Sequence, residues 1–188
     1  NLNKMLSECD IDLLTICTPS GLHVKHAKIA LSYKLNVLIE KPIDVNYSKA
    51  KKLVKDFNSK RKKLYLVKQN RFNQTILFLK KLIDNKKLGK INIILCNVLW
   101  SRPQEYYDSS KWRGDKKLDG GVVLNQSSHY IDLLIWLFGD IKKFQFMRKK
   151  LSRNIQSEDT AFLIIEFKNK IVANVSMTTL IPDRNIEG

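Results

Sequence analysis

The hydrophobic pattern of this 188-residue chain predicts an α/β part followed by an α+β part. Before residue 68, short continuous apolar runs alternate with segments of helical periodicity, which is typical of parallel sheets built from βαβ units. After residue 68, longer apolar stretches are joined by tight turns, which is typical of an antiparallel sheet with one helix-covered face. We therefore expect two domains, residues 1–68 and 69–188.

The first part is predicted to contain three strands and two helices. The strands are expected at continuous apolar runs, residues 12–17, 36–40 and 64–67. The first run, DLLTIC, is typical of a strand buried on both faces. Apolar residues recur at helical spacing over 24–33 and 46–58, and Asn46 or Ser48 can cap the second helix.

The second part is predicted to contain two helices, four long strands and a loop. The helices are expected at residues 75–83 and 121–138, each followed by a glycine that favours helix termination. The strands are expected at residues 91–100, 141–148, 160–167 and 171–179, the last two joined by a hairpin turn at 168–170. The polar and aromatic segment 101–117 is expected to be a loop.

The composition argues against several classes of function. No apolar run approaches the roughly 18 residues that a membrane-spanning helix needs. The three cysteines, at positions 9, 17 and 96, match neither a disulfide framework nor a zinc motif, which indicates reduced thiols in a cytoplasmic protein without a metal site. The net charge of +16 would suit an anionic partner, but abundant Lys, Asn and Ile share AT-rich codons. Because no nucleic-acid-binding motif is present, we expect neither nucleic-acid nor membrane partners.

Polar clusters follow the first two predicted strands. Thr18-Pro19-Ser20-Gly21-Leu22-His23 comes after the first strand, and Glu40-Lys41-Pro42 comes after the second. Ligands of doubly wound sheets bind outside the carboxyl ends of the strands, so the two clusters together indicate one ligand site. Taken alone, each cluster is better explained as a turn or a solvated strand end.

A third cluster opens the helix predicted at residues 121–138. Asp119 can cap this helix, and Gly120-Gly121 lets the backbone approach a ligand closely. Asn125, His129 and Asp132 follow at spacings of four and three, which places them on roughly one face of a helix. A histidine titrates near neutrality, so this face is a candidate for proton transfer, although a helical His is more often a packing residue.

The segments 10–31, 37–43 and 118–139 resemble, in order and spacing, the glucose–fructose oxidoreductase and inositol dehydrogenase (Gfo/Idh/MocA) family of NAD(P)-dependent sugar oxidoreductases. The resemblance covers nearly the whole chain. It implies that residues 1–68 are the remaining part of an NAD(P)-binding Rossmann domain. Residues 69–188 would then form a mostly antiparallel domain for substrate binding and oligomerisation. The implied cofactor is NAD, with NADP as an alternative, and the implied partner is a second copy, in a dimer or tetramer formed through the antiparallel sheet.

Members of this family usually begin with a Gly-x-Gly-x-x-Gly turn that holds the dinucleotide pyrophosphate. The present chain has seven glycines and no such turn. We therefore expect a fragment that lacks the first βαβ unit and the end of the C-terminal sheet, and that binds dinucleotide weakly by itself.

Within the family, the chain is most similar to UDP-N-acetylglucosaminuronate 3-dehydrogenases and related UDP-N-acetylglucosamine enzymes. The similarity lies in Gln69-Asn70-Arg71-Phe72-Asn73, Lys111-Trp112-Arg113-Gly114 and Asn125-Gln126. It implies oxidation of a sugar at C3, in nucleotide-sugar and cell-surface polysaccharide biosynthesis. Asn125 stands where many family members carry Asp before the catalytic His. The alternatives are a dehydrogenase of free sugars or inositols and, less favoured, a non-catalytic dinucleotide-binding protein.

The resemblance also implies roles for individual residues. His129 is expected to accept the proton of the alcohol, while Lys41 donates a hydrogen bond to the alcohol oxygen. Two alternatives stay open: Lys41 is the base, or Asp132 orients His129. Cofactor contacts are expected from Thr18, Pro19, Ser20, His23, Glu40, Lys41, Trp112 and Arg113. Substrate contacts are expected from Lys41, Gln69, Arg71, Asn73, Asn125, Gln126 and His129.

Overall fold

A computed structural model describes all 188 residues as two compact units, each with its own sheet. The first unit contains residues 1–67 and 116–120, and the second contains residues 68–115 and 121–188. The sequence pattern did not indicate that residues 116–120 pack with the first unit. The functional assignment of the two parts stays a prediction.

The first unit is built on a parallel three-stranded sheet, as predicted, and it has three helices where two were predicted. Its strands are β1 (Leu13–Ile16), β2 (Asn36–Ile39) and β3 (Leu64–Leu66), in the order β1-β2-β3. Its helices are α1 (Leu2–Glu8), α2 (His23–Ser32) and α3 (Tyr47–Ser59), with a 3₁₀ turn at Ser20–Leu22. Asn46 caps α3, because its side-chain oxygen accepts the backbone N–H of Lys49.

The core of the first unit lies between its sheet and helices α2 and α3. It includes the fully buried side chains of Ala27, Ala30, Val37, Ile39, Leu53 and Phe57. Strand β1 is not buried on both faces, and this expectation was wrong. Leu13 is 45% exposed, whereas Ile16 is buried, because β1 is an edge strand that buries alternate residues.

The second unit is built on a mixed, mostly antiparallel five-stranded sheet, which confirms the predicted fold class. Its strands are β4 (Ile93–Leu99), β5 (Ile141–Lys149), β6 (Thr160–Phe167), β7 (Val172–Thr178) and β8 (Ile186–Glu187), in the order β5-β6-β7-β4-β8. Only the β4–β7 pair is parallel. The helices are α4 (Gln74–Asp84), α5 (Gln104–Asp108) and α6 (Ser128–Phe138), with a 3₁₀ turn at Gln69–Phe72 and a π-helical turn at Val122–Gln126.

The two faces of the second sheet differ in how far other elements bury them. On the inner face, Leu163 and Ile165 pack in one core with Val122 and Leu134. On the outer face, alternate residues of β6 point away from this core, and Ile164 is 50% exposed. The inner face is therefore covered except along β5, where Phe144 and Phe146 are exposed, and the outer face is open.

Two of the elements predicted for the second unit were wrong. The segment 121–138 is not one regular helix, because a π-helical turn precedes α6, and the predicted loop 101–117 contains α5. Asp119, which was expected to cap this helix, does not occupy the N-cap position of the turn. Instead the N-cap position is Gly121, and the N–H of Val122 donates to the carbonyl of Glu158 at 3.1 Å. Gly121 has φ of +75°, and a side chain there would overlap Glu158.

Candidate active site

The two strand-end clusters of the first unit lie side by side, as predicted. Strands β1 and β2 are parallel and in register, with Ile16 opposite Ile39. The backbone N–H of Glu40 donates to the carbonyl of Ile16 at 3.0 Å. The segments that begin at Cys17 and Glu40 therefore leave the sheet together at its carboxyl edge, where parallel sheets bind ligands.

Two histidines of α2 hold the Thr18 turn. The ring of His23 is 1% exposed, with Nε2 2.6 Å from the Thr18 carbonyl oxygen and Nδ1 2.7 Å from the Pro42 carbonyl oxygen. Nδ1 of His26 lies 3.0 Å from the Thr18 hydroxyl. Burial lowers the pKa of His26, and the nearby charges of Lys25 and His23 lower it further. Thr18 is thus fixed through both its carbonyl and its hydroxyl.

The turn at Ser20–Leu22 is also held by the returning segment of the first unit. The N–H of Gly21 donates to the carbonyl of Leu118 at 3.0 Å. A Cβ atom at Gly21 would overlap the carbonyl of Lys117, so this approach requires glycine. Ser20 is buried, and Pro19 is half-buried. The cluster at residues 18–23 therefore contacts residues 117–118 within the first unit.

The Lys41 segment is ordered by its neighbours. The backbone N–H of Lys41 donates to Oε2 of Glu40 at 3.2 Å. Both residues are half-buried at the edge of the sheet. The carboxylate of Glu40, which is expected to contact the cofactor, therefore has a backbone partner within the chain.

The third cluster lies on the π-helical turn and the first turns of α6. His129 is buried at 9% exposure, and α6 is anchored by the buried side chains of Leu133 and Leu134. Gln126 is 2% exposed, whereas Asn125 is half-buried. Because the π-helical turn interrupts the regular helix, the α-helical i, i+4 relation expected between Asn125 and His129 does not apply.

Asp132 forms an ion pair with the segment before α4. Its two carboxylate oxygens accept hydrogen bonds from Nε and Nη2 of Arg71, both at 2.7 Å, and Nζ of Lys68 lies 3.4 Å from Oδ1. The guanidinium of Arg71 lies 5.6 Å from the ring centre of Trp136. Burial raises the pKa of Asp132, but Arg71 and Lys68 outweigh burial, so the pKa lies below its usual value.

This ion pair changes the interpretation of two predicted roles. The fork of Arg71, expected to bind a substrate carboxylate or diphosphate, is engaged by a carboxylate of the chain itself. Asp132, considered as a residue that orients His129, is bound by Arg71 and Lys68. Gln69 belongs to the same 3₁₀ turn as Arg71, and Asn73 follows that turn and is exposed.

The segment with Trp112 and Arg113 folds back on α5. The guanidinium of Arg113 lies 4.2 Å from the ring centre of Tyr106 and 5.5 Å from that of Trp112. It also donates to the hydroxyl oxygen of Ser109 at 2.7 Å. These contacts order the segment that was expected to lie over a cofactor.

A buried carboxylate organises a neighbouring loop of the second unit. Asp159 is fully buried and accepts the backbone N–H groups of Leu151, Ser152 and Arg153, each at 2.9 Å. Burial raises the pKa of Asp159, but these N–H groups lower it more, so the pKa lies below its usual value. The sequence analysis did not identify this residue.

Metal sites, reactive cysteines and membrane-spanning helices were the other features considered. No group of three or more His, Cys, Asp or Glu side chains is arranged to hold a metal ion. The three cysteines are unpaired, and burial raises the pKa of Cys96 to about 11, which disfavours a reactive thiolate. No helix combines the length and apolar character that crossing a membrane requires.

Comparisons with known proteins give matches along the chain. Residues 1–68 match the oxidoreductase family with an NAD-binding Rossmann fold, and residues 76–187 match the GFO/IDH/MocA C-terminal domain. The structure of the WlbA dehydrogenase from Chromobacterium violaceum, in complex with NADH and UDP-GlcNAcA, is 38% identical over the whole chain with a TM-score of 0.96. The WlbA dehydrogenase of Bordetella pertussis, with the same ligands, is 36% identical over 99% of the chain, with a TM-score of 0.95.

A more distant relative has a different substrate in its name. The scyllo-inositol 2-dehydrogenase (NADP(+)) IolW of Bacillus subtilis is 26% identical over 84% of the chain. The chain spans 41% of the length of IolW, 55% of the C. violaceum WlbA chain and 54% of the B. pertussis one. The present chain therefore covers about half of the relatives it matches.

Proposed function

This chain belongs to the GFO/IDH/MocA oxidoreductase family. From that premise we propose that the protein is an NAD(P)-dependent dehydrogenase that oxidises a secondary alcohol of a sugar. Family membership agrees with the resemblance found in the sequence. The observation that carries the proposal is the 38% identity, over the whole chain, to a dehydrogenase structure that contains NADH and a UDP-sugar.

We propose a UDP-N-acetylhexosamine or its uronate as the substrate, oxidised at C3. Two dehydrogenases at 36–38% identity, both in complex with UDP-GlcNAcA, support this class. A role in nucleotide-sugar and cell-surface polysaccharide biosynthesis would follow from it, as would the predicted cytoplasmic location. A free sugar or inositol is the second candidate, supported by the match to a scyllo-inositol dehydrogenase, which also keeps NADP open.

The first unit has features that fit the nicotinamide half of a dinucleotide. Cys17 and Thr18 are exposed at the carboxyl edge of the parallel sheet, and Glu40 is half-buried beside them in the neighbouring strand end. In parallel sheets of this kind, dinucleotides usually bind against polar groups at the carboxyl edge. Thr18, Pro19, Ser20 and Glu40 would contact the cofactor, which accepts hydride when bound.

Lys41 and His129 are proposed to carry the proton chemistry. A secondary alcohol loses its hydroxyl proton as hydride leaves, so a base and a stabiliser of the oxygen are both needed. We assign the base to a ring nitrogen of His129. The ammonium of Lys41 would donate a hydrogen bond to the alcohol oxygen and stabilise its developing negative charge.

A substrate screen of the complete protein tests this function. Reduced nicotinamide absorbance is followed with UDP-GlcNAcA, UDP-GlcNAc and scyllo-inositol, each with NAD and with NADP. We expect turnover with a UDP-sugar and NAD. Turnover with the inositol alone would support the second candidate, and no turnover with any alcohol would contradict the dehydrogenase proposal.

We also propose that the protein is a homo-oligomer formed through the open face of the second sheet. This face carries the apolar side chains of Ile93, Leu95, Met147, Phe162, Ile164 and Val172, each at least 41% exposed. Exposed apolar patches of this extent are typical of interfaces. Leu95→Lys should lower the mass measured by light scattering, whereas Tyr47→Lys, at an exposed position of the first unit, should not. An unchanged mass in both variants would contradict this interface.

A further inference from the structure

His23 connects the two strand-end segments of the first unit. One ring nitrogen lies 2.6 Å from the Thr18 carbonyl oxygen and the other lies 2.7 Å from that of Pro42. Carbonyl oxygens only accept hydrogen bonds, so the ring supplies the protons: one from a neutral imidazole, both from an imidazolium. The ring is 1% exposed, so water hardly competes for these contacts.

The Pro42 carbonyl belongs to the segment that presents Lys41. On the other side of Lys41, its backbone N–H donates to Oε2 of Glu40 at 3.2 Å. The peptide group before Lys41 and the carbonyl after Pro42 are therefore both held by side chains. Because a lysine side chain is long and flexible, its ammonium can be aimed only if the backbone that carries it is fixed.

Helix α2 gives His23 a rigid base. His23 is its first residue, and the buried side chains of Val24, Ala27 and Leu31 anchor the helix in the core of the first unit. A side chain on a well-packed helix holds the residues of a site in place more precisely than a side chain on a loop does.

We propose that His23 is a positioning residue, which holds Glu40-Lys41-Pro42 against the Thr18 turn and thereby aims the Lys41 ammonium. This inference rests on the proposed dehydrogenase function, in which Lys41 contacts the alcohol oxygen. It differs from the direct cofactor contact that the family resemblance implies for His23, since both ring nitrogens already face backbone carbonyl oxygens.

Two substitutions separate positioning from packing. His23→Phe keeps a buried ring but removes the N–H donors, whereas His23→Gln keeps an amide donor. We expect His23→Phe to lower kcat roughly 10²-fold, the usual effect of a misplaced catalytic group, with NADH affinity nearly unchanged. His23→Gln should recover part of this loss. Lys28→Gln, at an exposed position of the same helix, should leave kcat nearly unchanged.

Amide hydrogen exchange of the complete protein adds a readout that does not need activity. Exchange at Lys41 and Ile43 should be faster in His23→Phe, but not in Lys28→Gln. An unchanged kcat in folded His23→Phe, or a loss confined to NADH affinity, overturns the inference. If His23→Phe does not fold, kcat and exchange in His23→Gln decide. If the wild-type protein oxidises no alcohol, the proposed function fails, while exchange still tests the contact of His23 with this segment.

Discussion

The backbone around Lys41 and the helix that carries His129 are held by different kinds of contact. In the first unit, the ring of His23 and the carboxylate of Glu40 bind backbone groups beside Lys41. In the second unit, Asp132, one turn after His129, is tied to Arg71 and Lys68 by an ion pair between side chains. The first arrangement fixes a loop at the end of a strand, and the second fixes one helix to a preceding turn.

This difference has physical consequences. The hydrogen bonds between the buried ring of His23 and the backbone are little affected by salt, whereas a half-buried ion pair weakens with ionic strength. The same ion pair depends on an ionised carboxylate, so it also weakens at acid pH. Local stability in the two units should therefore respond differently to solution conditions.

Removing the Lys41 ammonium should have the largest effect. Lys41→Met keeps most of the apolar stem but no donor, and we expect turnover to fall by about 10³-fold, as when a transition-state donor is lost. NADH affinity, measured by fluorescence, should be largely kept. Lys28→Met, at an exposed position of α2, is the matched control and should keep normal turnover. Wild-type turnover in Lys41→Met would show that Lys41 does not provide the hydrogen-bond donor to the alcohol oxygen.

Removing the charge of Asp132 should destabilise the second unit without affecting the first. Asp132→Asn leaves Arg71 with a weaker partner, and we expect a loss of about 1–3 kcal/mol in the free energy of unfolding. Thermal unfolding at low and high salt measures the change, and the difference from wild type should shrink at high salt. Asp140→Asn, which breaks the exposed pair with Lys168, should change little. Equal effects of the two substitutions would mean that the Asp132 pair is only a surface contact.

A smaller effect is expected from pH, again in the second unit. The pKa values of Asp132 and Asp159 lie below their usual value. The unfolded chain therefore takes up these protons at higher pH than the folded chain does. The carboxylates stabilise the fold above their ordinary pKa of about 4, and this contribution is lost as pH falls through the lower folded values. The difference in Tm between wild type and Asp159→Asn should accordingly shrink below about pH 4. If the difference in Tm between wild type and Asp159→Asn stays constant down to pH 2, the stabilising role of the ionised Asp159 carboxylate is contradicted.

The sequence predicts those parts of the fold that depend on local pattern. Apolar periodicity marked strands β1 to β7 and helices α2, α3, α4 and α6, but not β8, α1 or α5. The parallel strand ends brought the segments at Thr18 and Glu40 together as expected. The π-helical turn before α6 could not be predicted, because it depends on a contact between Val122 and the backbone of Glu158, far along the chain.

The partners of individual site residues were the least predictable feature. Asp132 pairs with Arg71, which lies 61 residues earlier, so no local spacing indicates it. The family resemblance implies site roles for Arg71 and His23, but it did not indicate the groups of the chain itself that they contact. Gly21 is a partial exception, since a glycine within a polar strand-end cluster is a signal for close backbone approach, here by Lys117.

The pH–rate profile of His129→Asn tests the central claim most directly. The claim is that His129 accepts the alcohol proton while Lys41 stabilises the oxygen. In the complete protein with saturating UDP-sugar and NAD, turnover should fall roughly 10²–10⁴-fold, and the decline of the wild-type rate toward acid pH should disappear. Retention of that acid limb, with an effect mainly on KM, would contradict the claim and identify Lys41 as the base.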